Sequence, residues 1–289
     1  MIPIKDYNPT RHFPYVTVAL LVVNIGVYFL VQRPGSTDQI AELRFTYRYA
    51  AIPCEVVEGR PLTAPEINAT LRGDDSACGR SGDMAGSRPV FGAKNVYLAV
   101  VLSMFLHGSL LHIGGNMLFL WVFGNNIEDR MGSVPYLGFY LAAGLVASLA
   151  HVLAGPSSTV PVVGASGAIA GVMGSYLVLF PDVRIRSIFA VFFFFPIDLP
   201  AKWLLGYWLV SQFFVSPTSG VAWVAHVGGF AFGAAVAWLL RDRLRPSRVS
   251  PVPPGPYGGG PYGGGPYGGD PYGGGPRPPG PPGWRPSAP

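Results

Sequence analysis

Charge is what this chain has least of. Only 12% of its 289 residues are Asp, Glu, Lys or Arg, about half the roughly 25% of an ordinary soluble domain. From Met131 to Pro181 there is none at all. A water-exposed surface is excluded there, and the length suits two crossings of a bilayer at about 20 residues each. Cysteine is scarce as well: Cys54 and Cys78 stand alone, and their spacing offers no paired thiolate set for a metal. The net charge is +5, yet the basic residues form no aromatic-interleaved face, so nucleic acid is not an expected partner. The composition is that of a helical polytopic membrane protein.

Six apolar runs qualify as spans: about 16–31, 110–127, 136–153, 166–180, 201–215 and 221–240. The apolar stretch Ile188 to Phe195 either extends the fifth run or lies along the interface. The first run has no small-residue cleavage site, so it is expected to stay as a span and not to leave as a signal peptide. Lys5, Arg11, Arg130, Arg184, Arg186 and Arg241 to Arg248 fall in loops that alternate sides with 154–163 and 216–220, which carry no charge. The positive-inside rule then puts both termini in the cytoplasm, and a plasma membrane is the expected location. Residues 1–15 form a short cytoplasmic N-terminus and 16–245 the membrane domain.

Residues 34–94 make a long extracytoplasmic loop holding both cysteines. These either close a loop in an oxidising compartment or stand as two free thiols, since two cysteines fix no framework. After Pro246 the chain repeats PYGGG, a composition that buries too little surface to order itself, so 246–289 is expected to be a disordered tail. The arginines just before it suit anionic lipid headgroups.

Polar groups inside spans are costly, and several occur at one depth. Ser166 starts the fourth run, His226 lies about five residues into the sixth, and His112 and Asn116 begin the second. All three runs start on the same side, so these groups share a level in the outer half of the bilayer. Each also has a plainer reading: a serine among small residues is most often helix-packing glue, and a membrane histidine such as His151 or His107 a hydrogen-bonding partner. The glycines shift the balance. Gly167 and Gly171 in the fourth run, and Gly229 and Gly233 in the sixth, give Gly-x-x-x-Gly spacings that let two backbones approach. His226 lies three residues before Gly229 and seven before Gly233, on the face that packs.

A serine within reach of an imidazole is the minimum for nucleophilic catalysis. Ser166 is the candidate nucleophile and His226 the general base and acid. No carboxylate shares their depth, so the unit is a dyad. The Ser166 backbone N–H at a helix start, His112 and Asn116 are candidate oxyanion donors, the last two on one face at a spacing of four.

Four segments carry a family resemblance: GASGAIAG (164–171), AHVGGF (225–230), HGSLLHIGGN (107–116) and GNNIEDRMG (124–132). Together and in this order they resemble the rhomboid intramembrane serine proteases, over about Asn8 to Leu240. The resemblance implies an all-α, six-helix transmembrane bundle that cleaves transmembrane protein substrates near their extracytoplasmic ends, through Ser166 and His226, without metal or cofactor. It also implies that Glu128 and Arg130 serve structure and not chemistry. Residue 170 departs from the pattern: it is Ala where several relatives place an aromatic against the catalytic histidine. The Trp-Arg pair that some relatives carry before the second span is missing too, and the cysteine-bearing segment looks like an insertion.

Two other readings compete. A catalytically silent rhomboid-like protein that binds membrane clients would be expected to have lost the serine or the histidine. A transporter would spread charged groups through the bilayer depth and show repeated halves, neither of which the sequence has.

Overall fold

The computed structural model describes residues 1–35, 38–79, 87–189, 195–216 and 221–244. The PYGGG tail lies outside them. Helix α1 (Tyr15–Gly26) continues as a π-helical segment (Val27–Gln32); α2 (Gln39–Tyr49), α3 (Pro53–Glu58), α4 (Ala64–Leu71) and α5 (Val96–Ser103) follow. Then come α6 (Leu110–Met131), α7 (Ser133–Ala154), α8 (Ser166–Leu179), α9 (Ala201–Gln212), α10 (Trp223–Leu239) and the short α11 (Arg241–Leu244). A helix stands at each of the six expected spans. Two, Tyr15–Gln32 and Ser133–Ala154, are long and apolar enough to cross a membrane by themselves; α8 and α10 are shorter apolar helices. Helix α9 has 12 residues, and α6 ends in the charged run Glu128, Asp129, Arg130.

The described chain is mostly helical, as expected of an all-α membrane protein, and adds to its helices one three-stranded antiparallel sheet: β1 (Ile2–Asp6), β2 (Arg184–Phe189) and β3 (Phe195–Pro200), in that order. Ile2 pairs with Ile188 and Asp6 with Ile185, a partnership no local pattern announces. Strand β2 does alternate, with Ile185 and Ser187 buried and Arg184 and Arg186 exposed, but the same arginines also read as loop charge. Of the apolar stretch Ile188 to Phe195, Ile188 and Phe189 end β2 and Phe195 begins β3, so these residues do not extend α9, and 190–194 lie outside the described residues. The sheet joins two segments that the arginine pattern assigns to one side, so the pairing agrees with that alternation. Arg186 is ion-paired to Asp198 across it at 2.9 Å.

Helix α8 is the centre of the bundle. Every residue from Gly167 to Tyr176 is buried, and the helix packs on α10, α7 and α6. Glycine makes the α8–α10 approach possible. A Cβ on Gly233 would land on the carbonyl oxygen of Gly171, and one on Gly229 would land on that of Gly167. Ser175 Oγ also donates to the carbonyl of Gly233 at 2.8 Å. The large buried side chains Phe123, Tyr136, Tyr140 and Tyr176 fill the space between the helices.

Glu128 ties α6 to the start of α1. Pro14 offers α1 no side-chain cap. Instead the Val16 and Thr17 N–H groups donate to the two Glu128 oxygens at 2.9 and 2.7 Å, and the Thr17 and Ser133 hydroxyls add bonds at 2.8 and 2.6 Å. A carboxylate at a helix start satisfies otherwise unpaired N–H groups and opposes the helix dipole. Arg130 lies over the Phe180 ring at 5.5 Å.

The segment between α1 and α5 has a small core of its own: Tyr47, Ile52, Cys54 and Leu62, with Ile67, Cys78 and Phe91 against it. Cys54 and Cys78 form a disulfide. The Lys94 ammonium is buried against the Glu55 carboxylate and donates to the Tyr47 and Ala50 carbonyls at 2.8 Å. Burial pushes the Glu55 carboxyl up and the Lys94 ammonium down from their ordinary values, each opposed by the partner's charge.

Candidate active site

Helix α8 begins at Ser166 itself, with Ala165 before it supplying no side-chain cap. As the first helical residue, Ser166 has an N–H with no acceptor inside the helix. The approach to it is set by Gly164, whose φ of +131° is a conformation that residues with a Cβ rarely adopt. The Gly164 N–H is held by the Ser103 carbonyl at 2.9 Å. A Cβ here would lie 2.8 Å from His112 Nε2 and 3.5 Å from Ser166 Oγ. The loop backbone, His112 and Ser166 therefore meet in one small volume that only glycine leaves open.

From the other side, α10 brings His226 Nε2 to 2.8 Å from Ser166 Oγ. The contact follows from the glycine packing, since both residues stand at the same end of the closely approached helices. The second ring nitrogen, His226 Nδ1, lies 2.8 Å from Gln212 Oε1 at the end of α9. The Trp208 ring, one turn earlier, lies 5.8 Å from the imidazole. Gln212 and Trp208 are absent from the sequence expectations. One signal for Gln212 was available: it is a polar side chain at the end of a mostly apolar helical run, and such residues are functional candidates by default.

Helix α6 supplies the remaining pair. Ser109 caps it by accepting from the His112 N–H at 3.1 Å, which fixes the first turn. His112 Nδ1 accepts from the Gly108 N–H at 3.4 Å. In a neutral ring that bond leaves the hydrogen on Nε2, the atom that faces Gly164 and Ser166. Asn116 follows one turn on; it is buried, and its Nδ2 has no hydrogen-bond partner among the described residues. His151 lines a cavity of about 40 Å³ with Ser166, Gly164, Ser103 and Ala51. The cysteine-bearing segment reaches this cavity because Ala51 pairs with Val162, Cys54 N–H donates to the Ser158 carbonyl, and Thr159 N–H donates to that of Asp75.

Chemically, the arrangement offers a hydroxyl bonded to an imidazole whose far nitrogen is held. Beside it stand the Ser166 N–H at the start of α8 and the Asn116 Nδ2, which has no partner among the described residues, so a negative oxygen placed there would find donors.

A rhomboid domain family model matches residues 94–243, starting where the disulfide-bearing segment ends. The chain is 29% identical to Rhomboid protein 1, mitochondrial, of Saccharomyces cerevisiae over 52% of this chain and 44% of that protein. It is 32% identical to the presenilin-associated rhomboid-like protein, mitochondrial, of Homo sapiens over 46% of this chain and 35% of that protein. It is also 36% identical to rhomboid protease GluP of Bacillus subtilis over 29% of this chain and 16% of that protein. The chain spans less than half the length of each of these relatives. Two of the three are mitochondrial by name, which overturns the expectation of a plasma membrane. Hydropathy and arginine placement tell one side of a bilayer from the other, but nothing in them tells which membrane it is.

Proposed function

The chain belongs to the rhomboid family of membrane proteins, and we propose that it is a serine endopeptidase acting within the membrane through a Ser166–His226 dyad. The single observation behind this reading is the 2.8 Å contact between Ser166 Oγ and His226 Nε2. His226 takes the hydroxyl proton as Oγ attacks the scissile carbonyl. The resulting oxyanion is met by the Ser166 N–H, His112 Nε2–H and Asn116 Nδ2, and the imidazolium then gives its proton to the leaving amine. Water attacks the acyl-serine in a second, mirrored cycle that releases the new carboxylate. Each oxyanion donor of this kind contributes on the order of 3 kcal/mol to the transition state.

In this proposal α1, α6, α7, α8, α9 and α10 make six crossings within a membrane domain of residues 16–245. Fourteen residues of α8 give a rod of about 21 Å, shorter than the roughly 30 Å hydrocarbon core. Ser166 then sits beneath the surface opposite the arginine-rich loops, where it meets transmembrane protein substrates near that end of their spans, with lipid around the bundle. The relative named a rhomboid protease, GluP, supports the activity. A silent client-binding protein would need no serine bonded to a histidine.

The test is labelling of the full chain in detergent with a fluorophosphonate probe. Wild type should label, and both Ser166→Ala and His226→Ala should lose the label. Equal labelling of wild type and Ser166→Ala would sink the proposal.

A further inference from the structure

We infer that Gln212 is the positioning residue that orients His226 and selects its ring tautomer; the inference rests on the reading of Ser166 and His226 as a catalytic dyad. Among the described residues no carboxylate bonds to His226, whose ring nitrogens meet Gln212 and Ser166, and Ala170, one turn beyond Ser166, offers it no aromatic face. Both functions are supplied instead by one turn of α9, where Trp208 packs against the imidazole and Gln212 Oε1 lies 2.8 Å from Nδ1.

The direction of the amide decides the chemistry, and backbone atoms fix that direction. Gln212 Nε2 lies 3.1 Å from the Trp208 carbonyl oxygen, which can only accept. It also lies 3.3 Å from Ser211 Oγ, whose own hydrogen is committed to the same carbonyl at 2.6 Å. A flipped amide would set two acceptor oxygens against each other, so the NH₂ end belongs on the carbonyl and Oε1 belongs on His226. An amide oxygen has no hydrogen to give, so His226 Nδ1 must carry one. In the neutral ring this leaves Nε2 bare, with its lone pair toward Ser166 Oγ at 2.8 Å. That is the one neutral tautomer able to take the serine proton. The opposite tautomer would turn its Nε2–H toward Oγ, which could then only accept and would keep its proton, and would face the Gln212 oxygen with a second lone pair at Nδ1.

Gln212 is only 6% exposed, and a buried amide with both ends bonded is held in place. Trp203 and Tyr207 of this helix are exposed, as are Phe213 and Phe214 just after it, while Leu204 and Leu205 are buried in the apolar core. Within α9, then, Trp208 and Gln212 are the pair turned toward the dyad. A neutral orienting group also suits this depth, where a carboxylate would carry a large cost of burial. The chain of control runs from the Trp208 carbonyl through the Gln212 amide to the His226 ring, and it makes the position of α9 a condition for a competent base.

The test uses the full chain in detergent and two readouts. In the first, histidine labelled with ¹⁵N is observed by NMR, with His226 assigned by its loss in His226→Ala. Wild type should show a protonated Nδ1 and a bare Nε2, while Gln212→Met, which keeps length and volume without an oxygen, should show a mixture. In the second, the saturating rate of fluorophosphonate labelling should fall ~100-fold in Gln212→Met, with the half-saturating probe concentration unchanged. Should Gln212→Met fail to accumulate, Gln212→Asn decides, because its amide is one methylene short and must show the same mixed ring. An unchanged His226 spectrum or a wild-type labelling rate in the Met or Asn variant would overturn the inference. A wild type that does not label sinks the dyad reading alone, while the ring spectrum still decides whether Gln212 holds the imidazole.

Discussion

The carbonyl oxygen of Gly171 occupies the place that a side chain on Gly233 would need. Helices α8 and α10 meet there backbone to backbone, and the proposed dyad stands a few turns along the same contact. Gly233→Ala should therefore force the helices apart, strain the Ser175 bond to the Gly233 carbonyl and lengthen the Ser166–His226 contact. The expected result is a loss of stability of roughly the 1–3 kcal/mol of an overpacked core, read as a lower midpoint of thermal unfolding, together with loss of fluorophosphonate labelling. Gly138 in α7 is the control: nothing lies within 4 Å of its Cβ position, so Gly138→Ala should be neutral or stabilising by about 0.5–1 kcal/mol. Equal melting of the two variants would show that the close approach carries no weight.

How much of this was legible beforehand varied with the range of the interaction. The helices at the six apolar runs and the Ser166–His226 pairing follow from local signals, namely hydropathy and glycine spacing on one face. The β1–β2 pairing was not, because Ile2 and Ile188 are far apart in sequence and the arginines of β2 look like loop charge. Gln212 was missed for another reason. Its bond to His226 depends on where α9 ends relative to α10, which no spacing within either helix encodes. Residue 170 pointed at the question of what holds His226, but its answer lay on a different helix.

The disulfide yields a second prediction. Cys54 is bonded to Cys78 and its N–H is held by the Ser158 carbonyl, while Ala51 pairs with Val162. The cysteine-bearing segment thus grips the loop that delivers Ser166. Cys54→Ser with Cys78→Ser, or reduction of the wild type, removes a cross-link worth about 3 kcal/mol in the chain-entropy model. Limited proteolysis should then cut within 50–79 at least ten times faster, and Ser166 should label more slowly while the rest of the bundle keeps its helicity by circular dichroism. Unchanged proteolysis and labelling after complete reduction would show that the grip does not depend on the bridge.

The last prediction concerns acid. Glu66 is nearly fully buried in the same segment, where burial opposes its ionisation, but Arg60 at 2.8 and 3.0 Å and the N–H groups of Thr63 and Gly79 outweigh that and hold its pKa at about 2. Its ordinary value is 4.5, so the folded segment prefers the ionised form. The sign follows from linkage: the stabilisation is complete above about pH 4.5 and drains away as the pH falls from there toward about 2. The amount at stake is on the order of 2–3 kcal/mol. Glu55, close by and pushed the other way by burial, has the opposite dependence, so the difference between wild type and Glu66→Gln isolates the effect. Proteolytic susceptibility of residues 38–79 should rise in the wild type between pH 4.5 and 3. Glu66→Gln should already be susceptible at pH 7, with a flatter pH profile. A wild-type profile as flat as that of the variant would mean that the Arg60–Glu66 pair does not hold the segment together.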